Sequence, residues 1–157
     1  MKALLIVYFL LLLPILPQQD MASNFYKALS SKEISIIDKQ IKELQNLETN
    51  SQIRAYQGAI IMKRSSFEEA VKDKIAMFRK GHTALEEEIV KFPDNIEYRF
   101  LRLAIQENAP SILGYNSNIK TDKLIIIEQY NNLPQTLKTH ILNYSKDSKI
   151  LSSEKLL

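Results

Sequence analysis

Beyond the first thirty residues, apolar positions recur at intervals of three and four, the period of helices packed on one face. Ile34, Ile37, Ile41 and Leu44 give the first such stripe, predicting an amphipathic helix over 32–48. Ser30 and Glu33 stand before it at capping-box spacing. Thr49, Asn50 and Ser51 break this helix and cap the next, SQIRAYQGAIIMKR. There Ile53, Tyr56 and Ile60 line one side, while Ala55, Gly58, Ala59 and Met62 line the other. A glycine costs about 1 kcal/mol relative to alanine inside a helix, so Gly58 predicts a neighbouring helix at close range. Residues 51–64 therefore read as an inner helix touched on two sides.

Ser66 and Glu69 repeat the capping-box spacing ahead of a long helix reaching Phe92, with Phe67, Val71, Phe78, Leu85, Ile89 and Phe92 as its apolar stripe. Glu68–Lys72 and Glu87–Lys91 are expected as pairs on its charged side. Pro93 ends that helix, and Asp94 or Asn95 starts another over 95–108. On this last helix Ile96, Tyr98, Phe100, Leu101, Leu103, Ala104 and Ile105 cover more than half the circumference. Arg99, Arg102 and Gln106 share one narrow polar strip, and Glu97 falls within the apolar arc. Such a helix is buried on most sides. Ala109-Pro110 stops it, and SILGYNSN is a turn-rich connection. LIIIEQY, within 120–131, suits helix or strand by propensity. Helix is favoured, because Thr121 or Asp122 can cap it and no partner strand is visible. Pro134 opens a short helix with Leu137, Ile141 and Tyr144, and SKDSKILSSEKLL reads as a weak final helix or a frayed end.

The beginning of the chain follows another rule. MKALLIVYFLLLLPILP has one basic residue, Lys2, then an apolar run from Ala3 to Leu13 broken by Pro14 and Pro17. A spanning helix needs about 20 apolar residues, so this run suits a secretory signal core. Ala22 or Ser23 is the least unfavourable cleavage point, and an uncleaved anchor at residues 3–16 is the alternative. The expected organisation is thus a signal peptide or anchor over 1–22 and a single helical domain over 23–157. Either way, the bulk of the chain is expected to be exported to the periplasm or beyond.

Charge and composition narrow the functions available. Net charge is +3, but 21 basic residues are interleaved with 18 acidic ones, leaving no basic stripe of the kind a nucleic-acid binder presents. With no cysteine, disulfides, thiolate zinc sites, a cysteine nucleophile and a lipoprotein anchor are excluded.

The runs AYQGA (55–59), Phe78–Gly81, LEEEIVKFPDN (85–95), EYRFLRLAIQENAP (97–110) and LGY (113–115) resemble an uncharacterised family of exported helical proteins of Bacteroidota. The resemblance spans roughly residues 53–127, is most specific over 92–115, and implies a fold and an address but no activity. The middle of the chain is also similar to tetratricopeptide-type hairpins, with small Gly81, large Leu85 and Pro93 closing the unit. Glu88 stands where that pattern has alanine, so the resemblance implies one hairpin of related shape and no repeat array.

Candidate chemistry is sparse. His82 and Glu86 lie one helical turn apart, but a metal site needs three or four ligands and only His140 could add another nitrogen. Glu86, Glu87 and Glu88 point in three directions and read as a solvated surface, not an acid–base pair. No serine sits in a nucleophile elbow, no phosphate loop exists, and Phe67, Phe78 and Phe92 read as core. Arg99 and Arg102 are one turn apart and could clamp a carboxylate or phosphate. They could equally be ion pairs of a crowded helix, and Glu97, whose neighbour four positions on is Leu101, must look to another helix. The sequence therefore predicts an all-α bundle of about six helices built from antiparallel hairpins and tetratricopeptide-like in the middle. No enzyme, metal or cofactor is expected. A non-catalytic envelope scaffold binding another envelope protein is the leading reading, and a small-ligand or lipid binder using Arg99 and Arg102 is the alternative.

Overall fold

The computed structural model describes residues 18–156. Among these, seven α-helices and no strands build a helical bundle: α1 (Gln18–Ser30), α2 (Ile34–Gln45), α3 (Ser51–Ser65), α4 (Val71–Lys91), α5 (Ile96–Asn108), α6 (Ile119–Gln129) and α7 (Gln135–Ser145). The apolar leader read at 3–16 lies outside the described residues, and the boundary expected after residue 22 falls inside α1. No helix among the described residues is long and apolar enough to cross a membrane.

The tightest pairing is α3 against α4, and two glycines explain it. A Cβ on Gly58 would lie 2.8 Å from the Gly81 carbonyl oxygen, and one on Gly81 would lie 2.5 Å from the Gly58 oxygen. The helices cross backbone to backbone, the close approach that Gly58 implied. Around this crossing Ala55, Tyr56, Ala59, Met62, Phe78, Leu85 and Ile89 are buried. α2 covers α3 with Ile37 and Leu44, and is tied to it by Gln57 Nε2 donating to the Leu44 carbonyl (3.0 Å) and by Arg64 Nε to Asp38 (2.7 Å).

α5 fills the centre. Asn95 caps it by accepting from the Tyr98 amide (3.2 Å), as Asn50 does for α3 from Ile53 (2.9 Å). Every residue from Tyr98 to Gln106 except Arg99 is buried, so even part of its polar strip faces protein. The LIII segment is helical, in α6. Neither Thr121 nor Asp122 caps it: Asn118 precedes it without a side-chain bond, and Asp122 is spent inside the bundle.

Several local expectations fail for tertiary reasons. α1 was not anticipated, yet Phe25, Tyr26 and Ala28 are buried and the Phe25 ring stacks on Tyr56 at 3.8 Å between centroids. Because α1 runs through Ser30, its hydroxyl donates back to the Tyr26 and Lys27 carbonyls and forms no box with Glu33. Ser31 instead accepts from the Glu33 amide (3.0 Å). Ser66 likewise ends α3, donating to the Lys63 carbonyl (2.8 Å), so α4 starts at Val71 without a side-chain cap. Val71 and Phe92 consequently lie at the two ends of α4, exposed, and only the middle of the expected stripe is core. Glu68 pairs with Arg64 (2.8 Å), not Lys72, and Lys91 pairs with Glu88 (2.9 Å), not Glu87. The C-terminal segment is not frayed. Leu151 and Leu156 are buried, and Glu107 of α5 accepts from Tyr144, Ser148 and the amides of Lys149 (2.6 Å) and Ile150 (3.2 Å).

Candidate functional site

Two separate polar clusters converge on α5, and they divide the three residues singled out in its sequence. Arg99 and Arg102 belong to the first. Arg102 donates through Nε and Nη2 to both oxygens of Asp122 (2.7 and 2.8 Å) and through Nη1 to Glu86 (2.9 Å). Arg99 adds Nη1 to Asp122 (3.1 Å) and Nε to the Pro93 carbonyl (2.8 Å). Glu86 also accepts from the Tyr115 hydroxyl (2.5 Å). Asp122 is fully buried and Arg102 nearly so. Burial alone would weaken the Arg102 charge, but Asp122 and Glu86 outweigh it and raise its pKa above the ordinary value. The Tyr115 hydroxyl is pushed well up, first by burial and then by Glu86.

Two arginines thus meet two carboxylates, and all three nitrogens of the Arg102 guanidinium are bonded within the chain. An incoming anion would have to displace Asp122 or Glu86. Chemically the cluster braces α5 against α4 and α6. The acidic run of α4 is only in part the solvated face expected, since Glu87 is exposed but Glu88 is buried. Glu86 holds Arg102, Glu87 holds Arg54 (2.6 Å), and Glu88, fully buried, holds Arg54 (2.7 Å) and Lys91. Burial pushes the Glu88 carboxyl up, while bonds from Lys91, Ser51 and Arg54 outweigh it and hold it below its ordinary value. A hollow of about 440 Å³ runs along α4 beside His82 and Val90, but its glutamates are among these paired ones.

The histidines lie apart in structure as in sequence. His82 sits edge-on to Tyr115 at 4.7 Å, and His140 stacks on Tyr26 at 4.1 Å between ring centroids. No group of three metal-ligating side chains occurs among the described residues.

Glu97 faces elsewhere. Its Oε1 accepts from the hydroxyls of Tyr56 (2.5 Å) and Tyr26 (2.9 Å), and its Oε2 from Gln52 Nε2 at a long 3.4 Å. It reaches α1 and α3, the neighbouring helices its sequence position called for, but it finds tyrosines there and no cation. Among the described residues no lysine, arginine or histidine lies within ion-pair distance of it. The carboxylate lines a cleft of about 640 Å³ between α1, α3, α5 and α7, with Ser23, Gln52, Tyr56, Thr136, Thr139 and His140 around it. Burial, then the nearby Glu97 charge, raises the pKa of both tyrosine hydroxyls well above the ordinary value, so they remain donors. Burial lowers the pKa of His140 against a smaller opposing pull from Glu97, which leaves the imidazole neutral near pH 7. Sequence reasoning missed this cleft because its walls come from four helices spaced across the whole chain. The only local signal was a glutamate on an apolar arc.

Comparison of the chain with protein-family models, with curated proteins and with solved structures finds no match.

Proposed function

We propose that the protein is a non-catalytic helical scaffold or interaction module exported to the cell envelope, where it engages another envelope protein. The observation that carries this reading is the mutual saturation of Arg102, Asp122 and Glu86 on the central helix. Groups that looked most like ligand chemistry are bonded to one another, so a carboxylate or phosphate clamp at Arg99 and Arg102 is disfavoured. The apolar leader of the sequence and the resemblance of residues 53–127 to exported helical proteins support the address. The Gly58–Gly81 crossing supports a hairpin of tetratricopeptide-like shape.

Expression of the tagged full chain in its native host, followed by fractionation, N-terminal sequencing and crosslinking, tests the proposal. The expected result is recovery in the envelope or periplasmic fraction with one reproducible crosslinked protein. Recovery in the cytoplasm, or the absence of any reproducible partner, refutes it.

A further inference from the structure

We propose that the cleft between α1, α3, α5 and α7 is a binding site for an organic cation, an alkylammonium or guanidinium group, whose charge pairs with Glu97. This inference is independent of the scaffold reading, since either a free amine or a lysine or arginine side chain of a partner supplies the chemistry. Its lining and its hydrogen bonds lead to it. Among the described residues the lining carries one formal charge, the Glu97 carboxylate, and no lysine or arginine. The tyrosine bonds fall on one oxygen, leaving Oε2 with only the long contact from Gln52. A carboxylate accepts at about four positions, so room for charge-assisted donors remains on that side.

The other walls supply what a cation needs after its charge is met. An ammonium carries three donors, and the hydroxyls of Ser23, Thr136 and Thr139 around the cleft are acceptors for those that Glu97 does not take. His140, neutral near pH 7, adds no repelling charge. A volume of about 640 Å³ falls in the range that encloses an organic ligand. A bare metal ion fits poorly, because Glu97 is the only acidic side chain of the lining among the described residues and a stable site needs several ligands. Anions are excluded by the same carboxylate. Architecture alone does not explain the charge either: a neutral glutamine could accept both tyrosine bonds without leaving a negative charge uncompensated.

The test titrates the full-length protein with three probes by calorimetry and amide chemical shifts: spermidine as a free amine, Nα-acetyl-lysine amide as a side chain, and Nα-acetyl-norleucine amide as the neutral match. Saturable binding is expected for at least one cationic probe, at least tenfold tighter than for the neutral one and weakening with added salt. Preference for spermidine identifies a small-molecule ligand, and preference for the lysine amide a protein partner. Glu97→Gln should weaken binding at least tenfold. Because Glu97 also anchors Tyr26 and Tyr56, a second variant, Thr139→Trp, blocks the cleft from an exposed α7 position and should abolish binding with an unchanged helical spectrum. No saturable binding of either cation, equal binding of the neutral probe, or unaltered binding by Thr139→Trp overturns the proposal.

Discussion

Gly81→Ala sets two effects of opposite sign against each other. By intrinsic propensity alone, alanine in place of a mid-helix glycine stabilises by about 1 kcal/mol. At this position the added Cβ would stand 2.5 Å from the Gly58 carbonyl oxygen and 2.8 Å from the Met62 amide nitrogen and Cγ. The Met62 side chain can swing away, but the two backbone atoms cannot. To restore ordinary van der Waals separation, α3 and α4 must part by about 1 Å. That opens the seam holding Ala55, Tyr56, Ala59 and Leu85, all fully buried. Overpacking costs about 1–3 kcal/mol, and against rigid backbone the upper part of that range applies, about 2–3 kcal/mol, so that after the propensity gain a net loss of about 1–2 kcal/mol remains. For a domain of this size the loss corresponds to a fall in Tm of roughly 3–7 °C. Urea denaturation followed by circular dichroism at 222 nm measures it. The Gly58→Ala/Gly81→Ala pair should lose less than the sum of the singles, since one separation accommodates both methyl groups. A Gly81→Ala protein more stable than the parent would refute the backbone-to-backbone crossing.

Removing one partner from the arginine brace should be costly and repairable. Arg102→Met leaves Asp122 buried without its bidentate partner, an expected loss of about 3–5 kcal/mol in denaturant titration, whereas Arg102→Met combined with Asp122→Leu should recover much of it. In alkali, Tyr26, Tyr56, Tyr98, Tyr115 and Tyr144 all have raised pKa values in the fold, Tyr98 to about 12. Their unfolded hydroxyls titrate near the ordinary tyrosine value of 10.0, so the stability they contribute is complete below that pH and is lost as pH climbs towards the folded values. Absorbance at 295 nm should therefore rise together with loss of the 222 nm helical signal above pH 10; five tyrosines ionising at ordinary pH with helices intact would contradict the burial described. Glu107→Ala removes the acceptor for Tyr144, Ser148 and two backbone amides, so hydrogen exchange at Lys149 and Ile150 should speed at least tenfold while α3 stays protected.

The parts of this fold legible in sequence are those written locally. Asn50 and Asn95 sit beside the helices they cap, Pro93 cannot continue one, and Gly58 is an anomaly inside a helix that only close packing explains. The two serine–glutamate boxes misled because spacing alone does not say whether a helix is arriving or leaving. Both Ser30 and Ser66 donate to carbonyls at the ends of helices just finished. α1 was missed for a different reason: its stripe of Met21, Ala22, Phe25, Ala28 and Leu29 begins in the stretch read as leader and cleavage region, and Phe25 and Tyr26 find their partner in Tyr56 of α3. The glutamates of α4 look solvated until Arg54 and Arg102 arrive from other helices. Asp122 offered one clue, a carboxylate inside the apolar LIII helix, but sequence could not say which of 21 basic residues it would meet. The Glu97 cleft needed four helices at once.

The glycine crossing has a consequence for motion. α3 and α4 touch through their main chains, so sliding or tilting one against the other meets hard repulsion at once, and the pair behaves as a single rigid plank. α5 is cross-linked to that plank by its Glu97, which accepts from Tyr56 of α3, and by its Arg102, which donates to Glu86 of α4. α7 has no such main-chain crossing and attaches chiefly by Ile141 in the core, Tyr144 against Phe100 and Glu107, and the Tyr130 hydroxyl on the Lys138 carbonyl. Tyr56 and Glu97 therefore form a stiff bed, while Thr136, Thr139 and His140 ride on the looser element opposite. Displacement of α7 against that bed is therefore the expected way for the gap between them to change width.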